Sequence, residues 1–105
     1  MKSRASARRS RTLSHEPDGP RAHILVVDDL AASRHVLQAL LSDEGYRVTL
    51  AADGEAALAA VATERPDLIL LDILMPKLDG YEVCRRLKAH ADTRLIPVVL
   101  VSGLS

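Results

Sequence analysis

The sequence predicts an α/β fold, a doubly wound parallel sheet with helices on both faces. Two observations carry this. Aliphatic runs of strand length alternate with segments of helical periodicity, in the order β-α-β-α-β-α-β. The links between them are short, which requires parallel pairing through right-handed crossovers. A third supports it: with 48% apolar residues and 27% charged in 105 residues, the chain suits one small globular domain.

Each element has a local cause. His23–Val27 is aliphatic and β-branched, fit for a strand buried on both faces. Residues 30–44 place Val36, Leu37, Leu40 and Leu41 at helical spacing, with Gly45 where a C-terminal cap belongs. Arg47–Ala51 alternates, so this strand has a more exposed face. Asp53 is a good N-cap for the Ala-rich helix 54–64, whose Leu58, Val61 and Ala62 share one face, and Pro66 follows it. Leu68–Leu71 forms a third strand ending at Asp72. Asp79 and Glu82 stand in capping-box relation for a helix near 80–90, with Val83, Cys84 and Leu87 inward. Val98–Val101 is the fourth strand and ends at Ser102.

Composition excludes several classes. Aromatics are 2% (two Tyr, no Phe or Trp), too few for a base-stacking nucleic-acid module, and no nucleic-acid binding is expected from the folded part. No aliphatic run is long enough to span a membrane. A single cysteine, Cys84, excludes an internal disulfide or a zinc site built on several Cys, and fits a reducing, cytoplasmic setting. His15, His23, His35 and His90 show no ligand spacing.

The zero net charge hides an asymmetry. Residues 1–22 carry six Lys/Arg against two acids, net +4, and the remainder carries eight against twelve, net −4. The first part lacks aliphatic periodicity and is broken by Pro17, Gly19 and Pro20. It reads as a flexible basic tail. Contact with nucleic-acid phosphates or an anionic membrane surface, and an organelle transit peptide, are the competing readings.

Doubly wound sheets gather their active groups at the carboxyl ends of the strands, near the point where strand order reverses. Here those ends carry Asp28-Asp29, Asp72 and Ser102. In sequence, 44 residues separate Asp28 from Asp72 and 30 separate Asp72 from Ser102. Singly, an Asp or Ser after a strand is a turn former or helix cap, and Asp29 could cap the first helix. Three carboxylates at one edge repel one another, which makes poor scaffolding. A hard cation such as Mg²⁺ resolves the repulsion, and a carboxylate beside it can act as nucleophile toward a phosphoryl group. A hydroxyl at Ser102 could then hydrogen-bond that group. Asp43, Glu44, Asp53 and Asp67 read as caps and solvated groups, and Cys84 as a small core residue.

These segments resemble the receiver (response-regulator, CheY-like) domain of two-component signalling. The resemblance rests on Ile24–Asp29, Pro66–Pro76, Leu78–Lys88 and Ile96–Ser102, and covers about residues 22 to 105. It implies a flavodoxin-like receiver domain over 23–105. It implies that Asp72 is the phosphoacceptor, taking a phosphoryl group from a histidine kinase or histidine phosphotransfer protein. Asp28, Asp29, Asp72 and the backbone carbonyl of Leu74 are implied Mg²⁺ ligands, Asp28 working largely through water. Ser102 matches the switch hydroxyl, and Met75-Pro76 with Asp79-Gly80 shapes the adjoining loop. The Gly80–Lys88 wording is similar to receivers that precede cyclic-dinucleotide enzymes or kinases.

Receivers also carry a fifth strand ending in a lysine and further helices, for which this sequence has no counterpart; Lys77 and Lys88 do not match that lysine. The expected fold is therefore incomplete, and a fragment is favoured over a truncated gene product or completion by a partner. The outer edge of the fourth strand is then bare and invites pairing with a second chain. Two alternatives to a phosphoacceptor stay open: a pseudo-receiver that only binds partners, and an aspartyl-phosphate hydrolase. The hydrolase is disfavoured by Leu74 standing where haloacid-dehalogenase-like enzymes carry a second Asp.

Overall fold

In the computed structural model, residues 21–73, 75 and 79–101 are described. The elements follow the expected order: β1 His23–Val27, α1 Ala31–Asp43, β2 Arg47–Ala51, α2 Gly54–Thr63, β3 Leu68–Asp72, α3 Gly80–Lys88 and β4 Val98–Val101. Four parallel strands form one sheet in the order β2-β1-β3-β4. The chain runs outward from β1 to β2, then returns across β1 to β3 and β4. That reversal puts α1 on one face of the sheet and α2 and α3 together on the other.

β1 is central and every residue in it is buried. Leu25 and Val27 point into the larger core, with Ala51, Ala57, Val61, Ile69, Leu71, Met75, Val83, Leu87 and Ile96. Ile24 and Val26 alternate to the other face, the one α1 covers. That face is thinner. α1 has no buried residue, and its Val36 and Leu40 are 58% and 59% exposed.

The caps explain most boundaries. α1 ends in a Schellman turn: the Tyr46 N–H donates to the Leu41 carbonyl at 3.1 Å and the Gly45 N–H to Ser42 at 2.9 Å. Gly45 takes φ 94°, which favours glycine. The Asp53 side chain accepts from the Ala56 N–H at 2.8 Å and so caps α2. α2 turns Gly54, Ala57 and Val61 inward with Leu58 half-buried, while Ala62 is exposed, one position off the expected stripe.

Asp79 caps α3 by accepting from the Glu82 N–H at 2.9 Å. The return half of the expected capping box is not what occupies Glu82, whose carboxylate binds Arg85 and Arg86. Two cations at i+3 and i+4 outcompete one backbone N–H. At α1 the N-cap position is Leu30, with no side-chain cap, so Asp29 does not cap this helix.

Lys88 and Thr93 fix the passage into β4. Lys88 Nζ donates to the Arg94 carbonyl at 2.9 Å and the Ile96 carbonyl at 2.7 Å, and Thr93 Oγ1 donates to the Leu87 carbonyl at 2.6 Å. Among the described residues, β4 is paired on one side only, with Val99 and Leu100 47% and 39% exposed. The basic tail proposed for residues 1–22 lies outside the described residues up to position 20. Ala22 already belongs to the sheet end, accepting from the Arg47 N–H at 2.9 Å.

Candidate functional site

The site begins with where β1 and β3 stop. Parallel register sets Val27 beside both Ala51 and Leu71. The next residues, Asp28 and Asp72, therefore emerge side by side at the carboxyl edge. The sheet brings Asp28, Asp29 and Asp72 together as expected: one carboxylate oxygen from each lies within 4.8 Å of the others. Asp28 is buried (1% exposed), Asp72 is 9% exposed and Asp29 is exposed.

Asp28 is held at three points. Its N–H donates to the Ala51 carbonyl on β2 at 3.1 Å, continuing the ladder past the strand. Its Oδ1 accepts from the Leu30 N–H at 2.9 Å. Its carbonyl accepts from Arg34 Nη1 at 2.8 Å. Its Oδ2 is buried with no hydrogen-bond partner. A buried carboxylate oxygen in that state is costly, and it calls for a proton or a cation. Burial pushes the Asp28 carboxyl pKa up, and the neighbouring Asp72 and Asp29 carboxylates push the same way. The Leu30 N–H and the Arg34 guanidinium oppose them in part.

Asp72 sits opposite Val101 of β4. The chain beyond it is pinned by the Ile73 N–H donating to the Val101 carbonyl at 3.0 Å, and by the Gly80 N–H donating to the Ile73 carbonyl at 3.3 Å. A Cβ on Gly80 would lie 2.5 Å from the Asp72 carbonyl oxygen, so only glycine lets α3 start this close to the strand. Leu74 and Ser102, the expected carbonyl ligand and switch hydroxyl, lie outside the described residues. Ser102 follows Val101 directly in the chain.

Arg34 was not marked by the sequence reading. Its signal was available: a long cation one helical turn past an acidic pair can reach back to the loop. His23, assigned no role, is buried at the opposite edge, with Nε2 paired to Thr49 Oγ1 at 2.7 Å. Asp67, read as a cap or solvated group, sits exposed at that same edge and accepts from the His23 N–H at 2.7 Å.

The donor set is all oxygen and close-set. It fits a hard divalent cation in the size range of Mg²⁺, and the orphaned Asp28 Oδ2 is the atom such an ion would satisfy.

Comparison with known proteins agrees. The model of the Response regulator receiver domain family matches residues 24–105. Response regulator PleD of Caulobacter vibrioides is 53% identical over 83 residues, covering 79% of this chain and 18% of PleD. The chain thus spans less than a fifth of that relative. Among solved structures, the N-terminal domain of a response regulator receiver protein from Methanoculleus marisnigri JR1 superposes with a TM-score of 0.73 at 44% identity, covering 74% of this chain and 63% of that one. The Mn²⁺-bound form of response regulator Rcp1 gives 0.71 at 34% identity, covering 77% of this chain and 65% of that one.

Proposed function

Because the chain belongs to the response regulator receiver domain family, we propose that it is a phosphoacceptor module of a two-component phosphorelay, in which Asp72 receives a phosphoryl group. The donor is a phosphohistidine of a histidine kinase or phosphotransfer protein, which sets a cytoplasmic location. The observation that carries the reading is the convergence of the Asp28, Asp29 and Asp72 carboxylates from two strand ends within 4.8 Å.

Asp28 and Asp29, with Asp72 itself and the Leu74 carbonyl, are the groups that would hold Mg²⁺. The manganese named for Rcp1 supports a divalent ion of this kind. Bound there, the ion supplies positive charge against the developing charge on the phosphoryl oxygens. The chain's own part is nucleophilic and positional. An Asp72 carboxylate oxygen forms a bond to phosphorus as the donor's phosphorus–nitrogen bond breaks; the imidazole nitrogen keeps the electron pair and takes up a proton. The β3–β4 ladder and the Gly80 contact fix the Asp72 backbone for in-line approach. The Ser102 hydroxyl then hydrogen-bonds the transferred group.

Incubation with acetyl phosphate and Mg²⁺ tests this. The expected result is one hydroxylamine-sensitive phosphoryl group per chain, absent in Asp72→Asn and absent with EDTA. A folded wild-type chain that stays unlabelled would make it a binding module only. Continuous phosphate release from varied esters would make it a hydrolase.

A further inference from the structure

α1 is weakly anchored at its start. It has no buried residue, its N-cap position is Leu30, and no side chain caps its first turn. One side-chain bond ties that turn back to the loop: Arg34 Nη1 donates to the Asp28 carbonyl at 2.8 Å. The Leu30 carbonyl, in turn, accepts from the Arg34 N–H at 3.1 Å. Arg34 is half-buried, so its bond is partly shielded from water. It is also the cation that offsets the Asp28 carboxylate.

We infer that Arg34 is a positioning residue for the divalent cation, coupling the first turn of α1 to the Asp28 side of the pocket. The inference rests on the cation reading above. With the Ala51 and Arg34 bonds fixing its main chain and the Leu30 N–H engaging Oδ1, Asp28 is held in place while its buried Oδ2 stays without a protein hydrogen bond, so a cation can take it up without rearrangement. A cation taken up by Oδ2 would hold the same residue from the other side. Cation binding and ordering of α1 then reinforce each other, as linkage requires.

A charge-only role for Arg34 predicts the opposite sign. A guanidinium near the pocket repels Mg²⁺, so its removal would tighten binding. The two roles separate in one experiment on the full 105-residue chain. Mg²⁺ affinity is measured by calorimetry, and amide hydrogen exchange over residues 31–37 is followed with and without Mg²⁺. In wild type, Mg²⁺ slows exchange in this turn. In Arg34→Met, affinity falls about tenfold, the scale of losing a partner that orients a metal ligand. The slowing is then absent even at saturation. Arg34→Lys, which keeps a donor and the charge, returns both toward wild type. If Arg34→Met does not fold, neutral Arg34→Gln carries the same comparison. Equal or tighter Mg²⁺ binding in the neutral variant, with the slowing intact, overturns the inference alone. A wild-type chain that binds no Mg²⁺ overturns the cation reading and this inference together.

Discussion

Gly80 lies against the backbone of Asp72 so closely that a methyl group there would sit 2.5 Å from the Asp72 carbonyl oxygen and 2.6 Å from the Ile73 Cα. Both neighbours are main chain and cannot swing aside. Gly80→Ala is expected to destabilise the fold by about 1–3 kcal/mol, the usual cost of overpacking a tight contact. Urea unfolding checks the stability. The same substitution displaces Asp72, so Mg²⁺ affinity should fall with it. A cost under about 0.5 kcal/mol, as at an ordinary surface position, would contradict the rigid contact.

Asp28 should be a destabilising residue in the metal-free chain. It is buried, its Oδ2 lacks a partner, and two carboxylates face it. Asp28→Asn keeps an oxygen for the Leu30 N–H and removes the charge. In EDTA this variant is expected to be more stable than wild type by on the order of 1 kcal/mol, measured by thermal or urea unfolding. With Mg²⁺ added, the ranking reverses, because the variant loses a ligand.

The pH dependence follows from the same residue. The folded chain raises the Asp28 pKa above its ordinary value of 3.8, so between the two values it holds a proton that the unfolded chain has released. Metal-free stability from this group is therefore greatest at low pH and falls as pH rises through the raised pKa. Glu82 works the other way. Arg85 and then Arg86 lower its pKa from 4.5 to about 2, so its contribution is present above 4.5 and is lost as pH falls toward 2. Its exposure and screening keep that contribution small. Mg²⁺ affinity should weaken on acidification through the Asp28 window, since protons and cation compete for one oxygen. Unfolding in EDTA and Mg²⁺ titration between about pH 4 and about pH 7 read both trends. Asp28→Asn should flatten the first.

Lys88 is expected to matter for β4 although it is far from the carboxylates. Its ammonium donates to the Arg94 and Ile96 carbonyls, which enter the strand leading to Ser102. Lys88→Met should cost about 1–2 kcal/mol and speed amide exchange over 98–101, checked by urea unfolding and exchange mass spectrometry.

The fold was legible because hydrophobic periodicity switches cleanly between strand and helix, and because Asp28 and Asp72 directly follow aliphatic runs. Parallel pairing of β1 with β3 is enough to bring those carboxylates together. Finer detail was decided by tertiary competition. Glu82 had a local capping role open to it and took two arginines instead. Leu30 became the N-cap of α1 because the Asp28 Oδ1 accepts the Leu30 N–H and draws the loop round ahead of it. Arg34 went unmarked: its placement after the acidic pair lets it reach back to the loop, yet its partner there is a main-chain carbonyl, which residue types alone do not single out. The exposure of Val36 and Leu40 departs from their apolar spacing because α1 covers its sheet face only in part.

Reductive trapping tests the central claim most directly. The chain is exposed to acetyl phosphate with Mg²⁺, reduced with borohydride, and mapped by peptide mass spectrometry. An acyl phosphate at Asp72 is reduced to homoserine at position 72, and the account predicts that product there alone and only when Mg²⁺ is present. Homoserine at position 28 or 29 instead, or none in a folded chain, would contradict it.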